Sequence, residues 1–152
     1  MAYWLFKSEP SAFSFADLEA GPTEWSGVRN YQARNYMMAM QTWDLGYFYH
    51  SRTEPIGIVG IVMIVRSAYP DYTALDPTSQ YHDPRATPQK PIWQMVDIAF
   101  KMAFSQVVTL GRLRVTPGLE GMALLQKGSR LSVQPVTSGE WEIIHRLATA
   151  LP

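Results

Sequence analysis

Residues 56–65 read Ile-Gly-Ile-Val-Gly-Ile-Val-Met-Ile-Val, an almost unbroken apolar run. A strand without polar alternation is typical of burial on both faces of a sheet, so this segment predicts an interior strand. Its two glycines, Gly57 and Gly60, are not followed by a helix pattern, which argues against a dinucleotide-binding fingerprint. We expect them to mark a bulge or a close approach of another backbone.

Shorter strand-like segments lie on both sides of this run. They cover residues 3–6, 45–50, 93–100, 106–108 and 130–136. Residues 69–91 are rich in proline, aspartate, threonine and serine, which predicts a long irregular excursion. A broken helical stretch, interrupted by Pro117, Gly118 and Gly121, is expected between the last two strands.

Three helices have recognisable beginnings. Ser14 stands three residues before Asp17 in a pattern typical of a capping box, Asn30 can cap a second helix, and Thr137 with Glu140 makes a second box. The buried stripe of the last helix is predicted to be Trp141, Ile144, His145 and Ala148. Because the strands are irregularly spaced and helices do not alternate with them, we predict an α+β fold, a mixed β-barrel flanked by short helices.

Composition limits what the chain can do. Thirteen basic and thirteen acidic side chains cancel in 152 residues. That balance excludes the global positive field of histone-like proteins, so any nucleic-acid contact must be local. Hydrophobic residues make up 47% of the chain, enough for one buried core, and we expect a single domain over residues 1–152.

The chain has no cysteine, which removes disulfides, thiolate nucleophiles and thiolate metal sites. We expect no metal site and no cofactor. The first ten residues are too short an apolar run, and too soon broken by Lys7 and Pro10, for a signal peptide. No stretch approaches the roughly eighteen apolar residues of a membrane span. We therefore expect a soluble, cytoplasmic protein with no membrane partner.

Residues 25–35 carry the densest binding chemistry. They read Trp-Ser-Gly-Val-Arg-Asn-Tyr-Gln-Ala-Arg-Asn. Aromatic faces can stack on a nucleobase, amides can pair with its edge, and arginines can hold the neighbouring phosphates. No acidic residue occurs in this stretch, which favours a ligand role for Arg29 and Arg34. The run thus contains the residue types needed to recognise one unpaired nucleotide.

A second basic region lies further along the chain. Residues 101–130 contain one acidic residue, Glu120, against five basic ones: Lys101, Arg112, Arg114, Lys127 and Arg130. These could form a stripe that faces phosphates. Positive charges scattered over thirty residues need not converge, however, so solvated faces of separate elements are the favoured interpretation.

Four ordered blocks of the chain carry a family resemblance: residues 3–10 (YWLFKSEP), 25–35 (WSGVRNYQARN), 48–51 (FYHS) and 128–135 (GSRLSVQP). Together they resemble the EVE domain, across nearly the whole chain. The resemblance implies a PUA-like fold, similar to the YTH readers of methylated adenine in RNA, and binding of modified bases in DNA or RNA. On that analogy Trp25 corresponds to the tryptophan of the YTH base cage, with Ser26 and Asn30 as polar groups beside it.

Loop chemistry and resemblance together predict one site. The base-binding residues are expected to be Trp25, Ser26, Gly27, Val28, Asn30, Tyr31, His50, Ser51 and Trp93. Phosphate is expected to contact Arg29, Arg34 and Lys7. The lining of the pocket is expected to include Ser8, Glu9 and Phe48. Trp93 is ambiguous, since it can either wall the pocket or plug the barrel.

The favoured function is a non-enzymatic domain that recognises a modified, methylated nucleobase through this aromatic pocket. Its partner would be DNA or RNA, single-stranded or with the base flipped out. Two alternatives remain. An enzyme acting on a nucleobase or nucleotide would use Glu9 or His50 as acid or base, and a protein-interaction module would expose Trp25 and Tyr31 on a flat apolar patch. The oligomeric state is left open.

Overall fold

The computed structural model describes residues 1–128 and 130–150. Ser129, in the fourth block of the family resemblance, and the last two residues of the predicted 1–152 domain lie outside it. The strands are β1 (Tyr3–Ser8), β2 (Thr23–Trp25), β3 (Leu45–His50), β4 (Gly57–Pro70), β5 (Gln94–Thr109) and β6 (Val133–Val136). The helices are α1 (Phe15–Glu19), α2 (Tyr31–Ala39), α3 (Leu110–Arg114) and α4 (Ser138–Ala150), with short 3₁₀ turns at Tyr72–Ala74 and Ala123–Leu125.

The six strands form one mixed sheet in the order β2-β5-β4-β3-β1-β6. Strands β1 and β3 are parallel, and the other neighbours are antiparallel. The predicted α+β class is confirmed, but the predicted closure into a barrel is wrong, because the sheet is open. The edge strands β2 and β6 have only three and four residues, and helix α2 packs against both β5 and β6. On this face a helix, not a strand pairing, links β5 to the edge strand β6.

Strand boundaries were the weakest part of the sequence prediction. The predicted break at residues 101–105 does not exist, because β5 runs unbroken alongside β4 and the register shifts between them absorb the bend. Strand β2 was missed altogether. The capping predictions are confirmed: Ser14 and Asp17 form the box of α1, Asn30 Oδ1 accepts from Ala33 N at 3.0 Å, and Thr137 and Glu140 exchange hydrogen bonds at the start of α4.

The sheet separates two hydrophobic cores. Side chains alternate across β1, so Phe6 joins the core that contains α2, whereas Leu5 joins the core that contains α4. On β3, Phe48 and Tyr49 divide in the same way. In the predicted stripe of α4, Trp141, Ile144 and Ala148 are buried, but His145 is only half-buried. Among the described residues, no helix is long and apolar enough to cross a membrane.

The two glycines of β4 behave as expected. A Cβ at Gly57 would meet the backbone of Val108 and Thr109, and one at Gly60 would meet the carbonyl of Met102. Both positions face β5 next to a register shift. The predicted close approach of backbones is confirmed, and it is what allows the bend between these strands.

Candidate nucleic-acid interface

Trp25 ends β2 and stands at the edge of the first core. It pairs in register with Val96 of β5, which fixes its backbone. Its ring centroid lies 5.3 Å from that of Phe6 and 5.9 Å from that of Phe48, at interplanar angles of 78° and 83°. Both phenylalanines are fully buried, whereas Trp25 is half-buried. Two perpendicular rings therefore orient the indole and leave part of it at the surface.

The indole of Trp25 lines none of five cavities of about 260 to 600 Å³ that residues 1–128 and 130–150 form. Val28, expected to bind a base, is 6% exposed and belongs to the core. Phe48, expected to line the pocket, is 0% exposed and supports Trp25 from beneath. A base stacked on Trp25 would lie on the exposed part of the indole, and the base itself would form one wall of the site.

Tyr81 lies over the loop that follows Trp25. A Cβ built on Gly27 would come within 2.9 Å of the Tyr81 ring, and Gly27 has a φ of +81°. The position therefore requires glycine both for backbone conformation and for space. Tyr81 is 40% exposed. Sequence reasoning missed this aromatic because nothing in the proline-rich excursion distinguishes it from other surface tyrosines.

Arg29 is held by a buried carboxylate. Its Nη1 lies 3.0 Å from Asp71 Oδ2, and Asp71 has a side chain with no exposed surface. Arg29 also donates to the carbonyls of Val28 and Tyr81 and to Thr73 Oγ1, so four hydrogen bonds occupy a group with five N–H donors. The expectation that Arg29 lacks an acidic partner is wrong. Its guanidinium anchors the excursion to the loop and has little capacity left for a phosphate.

The same carboxylate fixes the backbone beside Trp25. Asp71 Oδ2 accepts from Gly27 N at 2.8 Å, and Asp71 Oδ1 accepts from the backbone and hydroxyl of Thr73. A buried charge is tolerated only when it is paired and hydrogen-bonded in this way. Asp71 is therefore the residue that sets the loop's geometry, and sequence reasoning did not single it out.

Trp93 is almost completely buried. It is 2% exposed, its Nε1 donates to Asp83 Oδ2 at 2.8 Å, and Tyr31 stacks on it with centroids 4.7 Å apart. The guanidinium carbons of Arg29 and Arg34 lie 5.5 and 6.0 Å from its ring. The two arginines therefore gather at Trp93, which has almost no exposed surface on which a base could stack.

Other expected site residues of the loop have structural partners as well. Tyr31 is 49% exposed, yet its ring stacks on Trp93, and the guanidinium carbon of Arg34 lies 4.9 Å from the centroid of the Tyr31 ring. Arg34 also donates to the carbonyl of Ile92 at 3.1 Å. Asn30 uses its side-chain oxygen as the cap of α2. Ser26 is half-buried next to Trp25, where its predicted role stays open to test.

A second anchor holds the far end of the excursion. Arg85 lies 2.9 Å from Asp83, and its hydrogen bonds, with that of Trp93, keep the pKa of Asp83 well below the ordinary range. A cavity of about 260 Å³ beside it is lined by Arg29, Tyr81, Asp83, Arg85 and Trp93, among others. Asp71 thus joins the excursion to the loop, and Asp83 joins it to Trp93, the residue before β5.

The ends of β1 and β3 lie beside Phe48. Ser8 is buried and donates to the carbonyl of Phe13 at 2.6 Å, and the Ser8 carbonyl accepts from the backbone and hydroxyl of Ser51. The His50 ring lies 5.7 Å from the Phe48 ring. Its Nε2 accepts from Phe15 N at 3.0 Å, and burial lowers its pKa below the ordinary value. His50 is therefore neutral at pH 7 and carries its proton on Nδ1.

Glu9 and Lys7 lie on the side away from Trp25. Glu9 makes an exposed ion pair with Arg52 at 3.3 Å. Lys7 shares the sheet face of Leu5 and lines two cavities with Tyr49, on the face opposite Phe6 and Phe48. The expectation that Lys7 contacts the same pocket as Trp25 is therefore wrong in its geometry, since the sheet stands between them.

Comparison with known proteins defines the class. The EVE domain family matches residues 2–147, and the chain belongs to that family. Thymocyte nuclear protein 1 of Mus musculus is 39% identical over 170 residues, covering 99% of this chain and 75% of the mouse protein. A crystal structure of a Pseudomonas putida protein matches with a TM-score of 0.93 at 52% identity, covering 97% of this chain and 99% of that one. Human THYN1 protein, crystallised in complex with 5-methylcytosine-containing DNA, matches with a TM-score of 0.93 at 35% identity over 100% of both chains. The family resemblance carried by the four sequence blocks is confirmed.

Proposed function

We propose that this EVE domain is a non-enzymatic reader that binds one methylated nucleobase, in a single strand or flipped from a duplex, on the indole of Trp25. The observation that carries the proposal is the indole itself, partly exposed and held by the buried rings of Phe6 and Phe48. A preorganised aromatic face binds a base without an ordering cost. The 5-methylcytosine DNA bound by the human relative makes that base the first probe to use.

Energetics determine what else the site needs. Flipping a base from a duplex costs a few kcal/mol, and stacking on one aromatic returns about 1–3 kcal/mol. Trp25 alone thus barely offsets flipping. Tyr81, 40% exposed over Gly27, is the second aromatic beside the loop and is our candidate for a further contact. Single strands, which need no flipping, should bind better than duplexes.

Selectivity for the modification needs more than apolar burial. One buried methyl group is worth about 0.8 kcal/mol, roughly fourfold in affinity. A larger preference requires hydrogen bonds to an edge of the base. Ser26 and the Nδ1–H of neutral His50 are the candidate donors, because His50 adjoins Phe48 on the face that carries Trp25, whereas the Ser51 hydroxyl already donates to the Ser8 carbonyl.

Two features support binding rather than catalysis. His50 Nε2 is already occupied by the backbone N–H of Phe15, so that nitrogen has no lone pair to accept a substrate proton. Glu9, the other acid or base considered, is exposed and paired with Arg52 away from the indole. Neither group is placed as an acid–base catalyst beside Trp25.

The test is a panel of short single strands, DNA and RNA, each with one modified base or its unmodified counterpart. Dissociation constants are measured at two salt concentrations. The proposal expects at least one methylated strand to bind severalfold more tightly than its unmodified counterpart, with no chemical change to the strand afterwards. Equal affinity for every modified and unmodified pair, or turnover of the base, would overturn it.

A further inference from the structure

Five basic side chains from distant parts of the chain line two adjoining cavities, which we call the cationic groove, and one of the five, Arg52, is paired with Glu9 in the same lining. One cavity, of about 440 Å³, is lined by Lys7, Arg114 and Lys127, and the other, of about 600 Å³, by Lys7 and Arg130. The two cavities share Lys7, Tyr49 and Leu110. Three of the five basic residues in the 101–130 region therefore converge, contrary to the favoured interpretation of the sequence.

The charges of the groove are not neutralised. Within residues 1–128 and 130–150 the ion pairs are Arg29–Asp71, Arg52–Glu9 and Arg85–Asp83. In the groove lining only Arg52 takes part in them, with Glu9, the one carboxylate there, and the other four cations (Lys7, Arg114, Lys127 and Arg130) do not. Since the whole chain has a formal net charge of zero, this is a local concentration of positive charge. Such a cleft attracts an anion.

The elements around the groove explain why these residues meet. Lys7 of β1 is in register with Tyr49 of β3, and both point to the second core. Arg114 ends helix α3, which follows β5 directly, and Lys127 follows the 3₁₀ turn at Ala123–Leu125. Burial raises the pKa of the Tyr49 phenol, and the nearby positive charge of Arg114 lowers it by a smaller amount. The Tyr49 hydroxyl therefore stays protonated and can donate a hydrogen bond.

The groove begins one residue away from the contacts of Trp25. The indole touches Phe6 and Phe48, and the next residues in each strand, Lys7 and Tyr49, line the groove on the opposite face. The ends of β1 and β3 form the ridge between them. A strand that places one unit on Trp25 has to cross this ridge to reach the cations.

We propose that the cationic groove binds the phosphate backbone of the strand whose base lies on Trp25. This inference rests on the proposed function, and it names the second contact surface: phosphates on one face of the sheet, the base on the other. The occupant is single-stranded nucleic acid rather than a free anion, because the cations are spread over two connected cavities and not focused on one point.

The experiment compares two double variants with the same loss of charge. Arg114→Gln/Lys127→Gln removes two groove cations, and Lys101→Gln/Arg112→Gln removes two exposed cations that do not line the groove. Dissociation constants are measured from 50 to 300 mM salt for a short single strand with one 5-methylcytosine, for the same strand with cytosine, and for inorganic phosphate. Circular dichroism melting verifies that each variant folds.

Each phosphate contact on a single strand contributes about 0.7 to the slope of log affinity against log salt. The groove variant should therefore lose about 1.4 from that slope and bind both strands about 25-fold more weakly at 0.1 M salt. The ratio between methylated and unmethylated strands should not change, and the control variant should match wild type.

The outcomes separate the two proposals. A methylation preference with equal salt slopes in all variants would overturn the groove and leave the reader standing. Weaker binding of both strands by the groove variant, without any preference for the methylated strand, would support the groove and overturn the reader. Binding of inorganic phosphate as tight as that of the strand, lost in the groove variant, would overturn the polymer occupant, and no binding of either strand would overturn both proposals.

Discussion

Asp71 and Arg29 form a buried ion pair, with Asp71 Oδ2 3.0 Å from Arg29 Nη1, across 42 residues of chain. The pair joins the loop after Trp25 to the start of the excursion. Because the Asp71 side chain is fully buried while that of Arg29 is 22% exposed, the carboxylate depends on its partners more than the guanidinium does. The loop that presents the indole is therefore held in place by chemistry far from it in sequence.

Asp71→Asn should destabilise the fold by roughly 2–4 kcal/mol, because it leaves Arg29 without its counter-charge and weakens the bond to Gly27 N. Urea denaturation measures the change. Asp76→Asn is the control, since that exposed carboxylate bonds only to Thr78, and it should lose under about 1 kcal/mol. Equal effects of the two substitutions would show that the buried pair does not hold the loop.

Gly27→Ala should lose at least about 1–2 kcal/mol, because a left-handed φ is costly for any residue with a Cβ and the new methyl meets the Tyr81 ring. In a double-mutant cycle, Tyr81→Ala should recover part of the loss. Gly111→Ala, in helix α3 with open space around its Cβ, should be neutral or stabilising. A Gly27→Ala protein as stable as wild type would contradict the contact with Tyr81.

The free energy of unfolding should decrease as the pH is lowered, because of His50. Burial lowers its folded pKa below the ordinary value of 6.5, so between these two values the unfolded chain binds a proton that the folded chain does not. This contribution is fully present above the unfolded pKa of 6.5 and is lost as the pH falls through the lower, folded pKa. Chemical denaturation across that range should show a shallower pH dependence for His50→Gln than for wild type, and no such change for the exposed His82→Gln. An unchanged slope in His50→Gln would exclude His50 as the source.

Local signals explain how much of this molecule was predictable. The caps at Ser14, Asn30 and Thr137 depend on residues three positions apart, and all three were predicted. The continuity of β5 depends on its pairing with β4, which periodicity in one segment does not reveal. The α+β class therefore followed from the sequence, while the open sheet and the strand ends did not.

The candidate site, like the fold, has some features that local sequence signals predict and others that depend on contacts between distant segments. Trp25 was recognised from its polar context, but Asp71 and Tyr81 become part of the site only when the excursion folds back on the loop. Arg29 was assigned to a ligand because its partner is 42 residues away. Lys7 was placed with Trp25 because adjacent residues in a block look close, although alternation along β1 sends it to the other face.

The most direct test replaces Trp25 and Trp43 by alanine, one at a time. Trp25→Ala should weaken the binding of a short single strand with one 5-methylcytosine about 5- to 150-fold, because a stacked base is worth about 1–3 kcal/mol. Trp43→Ala is the matched control, since Trp43 is 62% exposed and lies outside the loop; it should bind as wild type does. Wild-type affinity in a folded Trp25→Ala protein would contradict the account.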